Sequence, residues 1–195
     1  MTIVNQQPSI LLVHPGVAAK SVQELIALAK AKPGTLNYGA GGAGSSGHLA
    51  AELFKAMAGI NIVGVRFKGS GQALTSLFSG EVHLLMSSAS STAPYAKSGR
   101  IRALALTGAR RSPSFPELPT IAESGVPGYQ YGQISGILAP AKTPAAIISR
   151  VQKETAMVLA KPDVAEQPHS SPCPFRPASP PHASGGSVRV HRGIA

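Results

Sequence analysis

A glycine-rich loop that opens onto an amphipathic segment constrains the fold of this chain most strongly. Residues 38–47 include five glycines and two serines, a short apolar stretch precedes them, and apolar residues at helical spacing follow over residues 49–57. At the start of a helix the main-chain N–H groups lack intrahelical partners, and the helix dipole makes this end partly positive. The pattern therefore predicts a cradle for phosphate, sulfate or carboxylate. The residues of this predicted anion cradle are Gly42, Ala43, Gly44, Ser45 and Ser46.

Segments with strand and helix periodicity alternate along the chain. Ser21 and Glu24 have capping-box spacing at the start of the first predicted helix, and Pro33-Gly34 ends it. Strands are predicted at residues 8–16, 36–40, 60–67, 82–86, 101–106 and 131–138. Helices are predicted after each of the glycine-rich turns, with shorter ones at 94–98 and 120–125 and a last one from Thr143 to about residue 160. This alternation predicts an α/β fold with a mainly parallel sheet.

Three small polar segments follow predicted strands, at residues 41–46, 68–71 and 87–91. Ligands of open α/β sheets bind beyond the carboxyl ends of the strands, so we expect these segments to share one edge of the sheet. Lys68 is either a solvated turn residue or a positive charge beside the anion. Ser87 is either an ordinary strand-end residue or part of the site. We interpret His48 as a hydrogen-bonded residue of the first helical turn and not as a metal ligand.

Residues 42–47 also match G-x-G-x-x-G, the dinucleotide fingerprint. The preceding strand is weakly apolar, and residues 62–68, where a ribose-binding acid is expected, contain Arg66 and no acid. An NADP-binding Rossmann-type reductase domain therefore remains the alternative. Neither Ser45 nor Ser46 has the G-x-S-x-G context of a nucleophile, and acids that could orient a histidine are few. We predict no catalytic residue, no cofactor and no metal site.

The composition restricts the class of partner. The 195 residues carry a net charge of +10, but the basic residues are scattered, only 5% of the residues are aromatic, and there is no tryptophan. Aromatic residues that could stack on bases are therefore scarce, and we predict no nucleic-acid binding. No apolar run reaches the length of a membrane-spanning helix, and the first residues lack the features of a secretory signal.

Residues 168–195 differ in character from the rest of the chain. They contain six prolines and no acid, and they show neither helical nor strand periodicity. Such a segment cannot bury enough apolar surface to offset the entropy lost on ordering. We predict a disordered, proline-rich tail.

A series of motifs resembles the Bug/TctC family, the substrate-binding proteins of tripartite tricarboxylate transporters. The motifs are Leu-Val-His-Pro at 12–15, Gly-x-Gly-Ser-Ser-x-His-Leu-Ala-x-Glu-Leu-Phe at 42–54, Phe-Lys-Gly-Ser at 67–70, Arg-Ala-Leu-Ala at 102–105 and Pro-Thr-Ile-Ala-Glu at 119–123. The resemblance extends over residues 8–166. It implies a type II periplasmic-binding-protein-like fold, in which two lobes close on a small carboxylate that is passed to a membrane permease.

The resemblance also implies a division of the chain and a set of site residues. Residues 1–7 are expected to be a hinge remnant, 8–130 a complete ligand-binding lobe, 131–167 a fragment of the first lobe, and 168–195 the tail. The family's glycine-serine-histidine loop falls on residues 42–46 and His48. A contact position in the same lobe falls near Ser87, where many relatives have an aspartate. The family is periplasmic, and this sequence is expected to be a truncated receptor without catalysis. The helix from Thr143 is expected to lack the sheet that it normally covers.

Overall fold

The computed structural model describes residues 2–137, 139–159 and 161. The elements are β1 (Thr2–Val13), α1 (Val22–Ala31), β2 (Asn37–Ala40), α2 (Ser46–Ala58), β3 (Val63–Arg66), α3 (Ser70–Ser79), β4 (Leu84–Ser88), α4 (Ala89–Lys97), β5 (Arg102–Leu106), β6 (Gly132–Ile137) and α5 (Ala145–Leu159). The predicted tail, residues 168–195, lies outside the described residues.

The sheet is mixed, which confirms the α/β class and corrects the expected strand directions. Its order is β3-β2-β4-β1-β5, with β6 paired to β1 outside this path. β2 is parallel to β3 and β4, whereas β1 is antiparallel to β4, β5 and β6. Strands β2 to β5 therefore run in one direction and β1 runs against them. The alternation of strands and helices in the sequence does not determine the direction of β1. Its pairing with β6 ends at Pro8, and its pairing with β4 begins at Ser9, opposite the last residue of β4.

Helices and loops cover both faces of the sheet, and β1 contributes to both cores. Leu11 and Val13 pack in one apolar cluster with residues of α1 and α2, while Ile10 and Leu12 pack in the other with residues of α3. All four side chains are fully buried. Burial on both faces explains why this part of β1 is a continuous apolar run without strand alternation.

Most predicted element ends are confirmed. Ser21 caps α1 by accepting the N–H of Glu24, and Gly59 and Gly80 end α2 and α3 in the left-handed conformation. Two predictions were wrong. Residues 87–91 are not a loop, because Ser87 and Ser88 end β4 and α4 begins at once at Ala89. Residues 121–125 form turns and not a helix, although the reciprocal bonds of a capping box form between Thr120 and Glu123 and the N–H of Ser124 donates to the Thr120 carbonyl.

The buried face of α2 differs from the apolar stripe in its sequence. Leu49 and Met57 are 50% and 41% exposed, whereas Ala50, Ala51 and Phe54 are buried. Small residues face the sheet because α2 lies very close to β4. A Cβ atom on Gly47 would lie 2.5 Å from the main-chain oxygen of Met86. Position 47 therefore excludes a side chain.

Helix α5 buries none of its side chains. Four of its large apolar side chains are exposed: Ile147, Val151, Met157 and Val158. The amphipathic face predicted from the sequence is therefore present without a covering layer. In the described part of the chain, no helix combines the length and apolar character needed to cross a bilayer.

Substitution of Gly47 tests the close approach of α2 to β4. We expect Gly47→Ala to lower the free energy of unfolding by about 2–3 kcal/mol, because the added methyl group forces main chain apart. Gly71→Ala is the matched control, since Gly71 is likewise the second residue of a helix and has open space around it. The control should be neutral or slightly stabilising. Urea unfolding measures the free energy of unfolding of both variants. Equal losses in the two variants would contradict the close contact between Gly47 and β4.

Charge substitutions on α5 test whether its exposed face drives self-association. We expect the wild-type chain to associate, and Val151→Glu with Val158→Glu to shift it toward the monomer, because apolar patches of this kind are covered by contact. Lys153→Glu is the control, because Lys153 is exposed on the same helix. This substitution changes the net charge by the same amount as the two valine substitutions and leaves the apolar side chains in place. Light scattering after gel filtration gives the mass. A monomeric wild-type chain, or equal effects of both changes, would contradict the expectation.

Candidate functional site

A cleft of about 320 Å³ lies at the carboxyl ends of β2 and β4. All three of the small polar segments singled out in the sequence contribute to it, so they share one edge of the sheet as expected. The lining residues are Ala40, Gly41, Ser45, Ser46, Gly47, Ser70, Leu85, Met86, Ser87, Ser88, Ser91 and Gln133.

The start of α2 forms one side of the cleft. Ser45 is the N-cap, and its hydroxyl donates to the carbonyl of Gly42 at 2.9 Å and accepts the N–H of His48 at 3.4 Å. The N–H groups of Ser46 and Gly47, which line the cleft, have no hydrogen-bond acceptor among the described residues. They are the donors that the first turn of a helix leaves available.

The starts of α3 and α4 form the other sides. Gly41 lies against Ser70, the first residue of α3, where a Cβ atom on Gly41 would be 2.9 Å from the Ser70 nitrogen. The N-caps of α3 and α4 are Gly69 and Ser88, and neither end has a side-chain cap hydrogen bond. Because α2, α3 and α4 all begin at this edge, three helix dipoles direct their positive ends toward one cleft.

The polar groups of the cleft are neutral. No residue that lines it in the described structure carries a charged side chain, and serine hydroxyls supply most of its polar side-chain atoms. Ser88 and Ser91 hydroxyls are 2.7 Å apart, and the Ser91 hydroxyl also donates to the Ser88 carbonyl. Leu85 and Met86 also line the cleft, although both are buried and pack in the two separate apolar clusters. Main-chain N–H groups, hydroxyls and helix dipoles can together hold an anion without a cationic side chain.

The predicted site residues separate into two groups. Ser45, Ser46 and Ser87 line the cleft. Gly42, Ala43 and Gly44 form the turn that leads into α2, in which Gly42 and Gly44 have positive φ angles of 128° and 76°. That conformation favours glycine, which explains the residue type in the turn. The role of the group as ligand contacts stays a prediction.

His48 and Lys68 do not line the cleft. The His48 ring accepts the N–H of Gly44 through Nδ1 at 3.4 Å, so the side chain supports the glycine turn. Lys68 is exposed, and its main-chain N–H donates to the side chain of Gln72 at 3.1 Å. Ligand contact by either side chain stays a prediction. Among the described residues, no three His, Cys, Asp or Glu side chains are grouped as metal ligands would be.

The sequence interpretation did not single out several residues that line the cleft. Ser70 and Ser91 lie within the polar segments and follow from the sheet-edge argument once the helix starts are known. Gln133 lies on β6 and faces the cleft only because β6 pairs with β1, where Gln133 is the partner of Gln7. No local pattern indicates that pairing.

The strand directions do not fit the dinucleotide-binding alternative. A Rossmann-type domain has a parallel sheet whose first strand leads into the fingerprint loop. Here the strand before the loop, β2, is the second strand of the chain, and the central β1 runs antiparallel to both neighbours. The G-x-G-x-x-G match at residues 42–47 therefore reflects a helix start that packs closely on β4, and we do not retain the reductase reading.

The chain is similar to proteins of known sequence and of known structure. The chain is 35% identical to the UPF0065 protein in the tcbD-tcbE intergenic region of Pseudomonas sp. strain P51, over 82% of this chain and 48% of that protein. Rpa4515 of R. palustris, solved with adipate, is 37% identical and superposes with a TM-score of 0.76 over 84% of this chain and 55% of that one. MatC from Rhodopseudomonas palustris, solved with malate, is 26% identical, with a TM-score of 0.80 over 85% and 56%.

The match to a family is more extensive than the sequence motifs indicated. The sequence model of the tripartite tricarboxylate transporter family receptor, TctC, matches residues 1–173, a longer stretch than the 8–166 of the motif resemblance. The chain spans about half the length of the relatives it matches. All the residues that line the cleft lie within the matched region. Because the match covers most of the sequence, this chain belongs to the TctC family of receptors.

Proposed function

We propose that this chain forms the ligand-binding part of a solute receptor that holds a small carboxylate and performs no chemistry on it. The observation that carries the proposal is the convergence of three helix starts on one cleft without charged side chains. Each helix start favours a nearby anion by about 0.3–1 kcal/mol at exposed positions. Binding through fixed main-chain dipoles needs no catalytic residue.

The chemistry of the cleft supports a carboxylate without an ammonium group. Hydroxyls and N–H groups donate to carboxylate oxygens, and both kinds of group are present in the residues that line the cleft. None of the described lining residues is acidic, so a positively charged amino group would have no partner there. The neighbours solved with adipate and malate, both dicarboxylates, support the same ligand class.

For the whole receptor we propose the mechanism and location of its family. The receptor is periplasmic, closes two lobes on its ligand by hinge motion, and delivers the ligand to the membrane permease of a tripartite transporter. Residues 8–130 form one lobe, residues 1–7 belong to the hinge, and residues 131–167 belong to the first lobe. The change of partner in β1 supports this division, because β1 pairs with β6 up to Pro8 and with β4 from Ser9.

A negative charge at the start of α3 tests the proposal. We expect Ser70→Asp to weaken adipate and malate binding about tenfold, because its carboxylate competes with that of the ligand in the cleft. The same charge should preserve or raise the melting temperature, since acids at a helix N-terminus stabilise the helix. Calorimetry and thermal unfolding measure the two effects.

Thr75→Asp is the matched control, because Thr75 is exposed on the same helix and does not line the cleft. It should leave the affinity within about twofold of the wild type, a small free-energy difference. An equal loss for both variants, or tight NADPH binding in place of carboxylate binding, would contradict the proposal.

A further inference from the structure

Strand β1 changes partners between two adjacent residues. Pro8 pairs with Gly132 of β6, and Ser9 pairs with Ser88 of β4. Two chain segments therefore cross side by side between the five-stranded sheet and β6: β1 itself and the connection that enters β6 through Tyr131. The angle between these parts depends on what holds the two segments at the crossing.

One residue, Thr107, makes four hydrogen bonds at this crossing. Its hydroxyl accepts the N–H of Ser9 at 2.8 Å and donates to the carbonyl of Tyr131 at 2.9 Å. Its own N–H donates to the Ser9 carbonyl at 2.9 Å, and its carbonyl accepts the N–H of Tyr131 at 2.8 Å. Thr107 is fully buried, so these bonds are shielded from water.

A surface cavity adjoins the crossing. Its volume is about 180 Å³, with Pro8, Gly108 and Tyr131 among the lining residues. Close packing normally restricts the relative movement of segments in an interior. Next to this cavity, the directional hydrogen bonds of Thr107 restrain the two segments. The hydroxyl of Thr107 is the side-chain group that links both crossing segments.

Gln133 connects the crossing to the cleft. It follows Tyr131 by two residues, about 7 Å along an extended strand, and it lines the cleft. We infer that Thr107 is a positioning residue, which holds β6, and with it Gln133, beside the cleft. The inference about the cleft rests on the proposed carboxylate binding, while the inference about β6 does not.

Amide hydrogen exchange tests the fixing of β6 without any ligand. Thr107→Val keeps the shape of the side chain but leaves the Ser9 N–H and the Tyr131 carbonyl without their partner. We expect exchange in residues 132–137 to become about tenfold faster in this variant. Thr107→Ser keeps the hydroxyl and should exchange at the wild-type rate. Unchanged exchange in Thr107→Val, or equally fast exchange in Thr107→Ser, would overturn the inference.

Thr120→Val is the matched control for loss of a buried hydroxyl. Thr120 is also buried, and its hydroxyl accepts the N–H of Glu123 and forms no hydrogen bond with a described residue of β1 or β6. It should leave the exchange of residues 132–137 unchanged. An acceleration equal to that of Thr107→Val would show that the effect is general destabilisation, and would overturn the inference.

A double-mutant cycle tests whether Thr107 acts on binding through Gln133. With adipate as the probe, we expect Thr107→Val to raise the Kd about tenfold in the wild-type background and less than about twofold in Gln133→Ala. Equal factors in the two backgrounds would overturn the link to Gln133. If the wild-type chain binds neither adipate nor malate, the proposed function fails for these ligands, and hydrogen exchange still decides the role of Thr107.

Discussion

The pairing of β1 with three other strands is the interaction on which the rest of the structure depends. Its second half occupies the interior of the sheet between β4 and β5, and its first half holds β6. The side chains of residues 10–13 alternate between the two apolar clusters, so one strand joins both cores. Loss of this strand would separate the layers on the two faces of the sheet and would release β6.

The geometry of the cleft follows from the direction of the remaining strands. Since β2, β3 and β4 run in one direction and each leads directly into a helix, the three helices begin at the same edge. Short connections keep these starts close together, and Gly41 and Gly47 permit contacts with main chain that a side chain would prevent. The electrostatic character of the cleft therefore comes from backbone arrangement more than from charged side chains.

Local signals in the sequence predicted much of this arrangement. Ser21, Gly59 and Gly80 mark helix ends by their own chemistry, and the three polar segments identified the edge where the cleft lies. Other features depend on contacts between distant residues. The direction of β1, the exposure of Leu49 on α2 and the position of Gln133 each result from which strand or helix lies alongside, and neighbouring residues in the sequence do not determine that.

The most direct test of the account is an NMR titration of the main-chain amides with adipate. The central claim is that N–H groups at the starts of α2, α3 and α4 hold the carboxylate. It predicts that the largest chemical-shift changes occur at Ser46, Gly47, Ser70 and Ala89 and saturate together. Changes confined to residues 108–113, beside the smaller cavity, or no change at these helix starts when the ligand is bound, would contradict the claim.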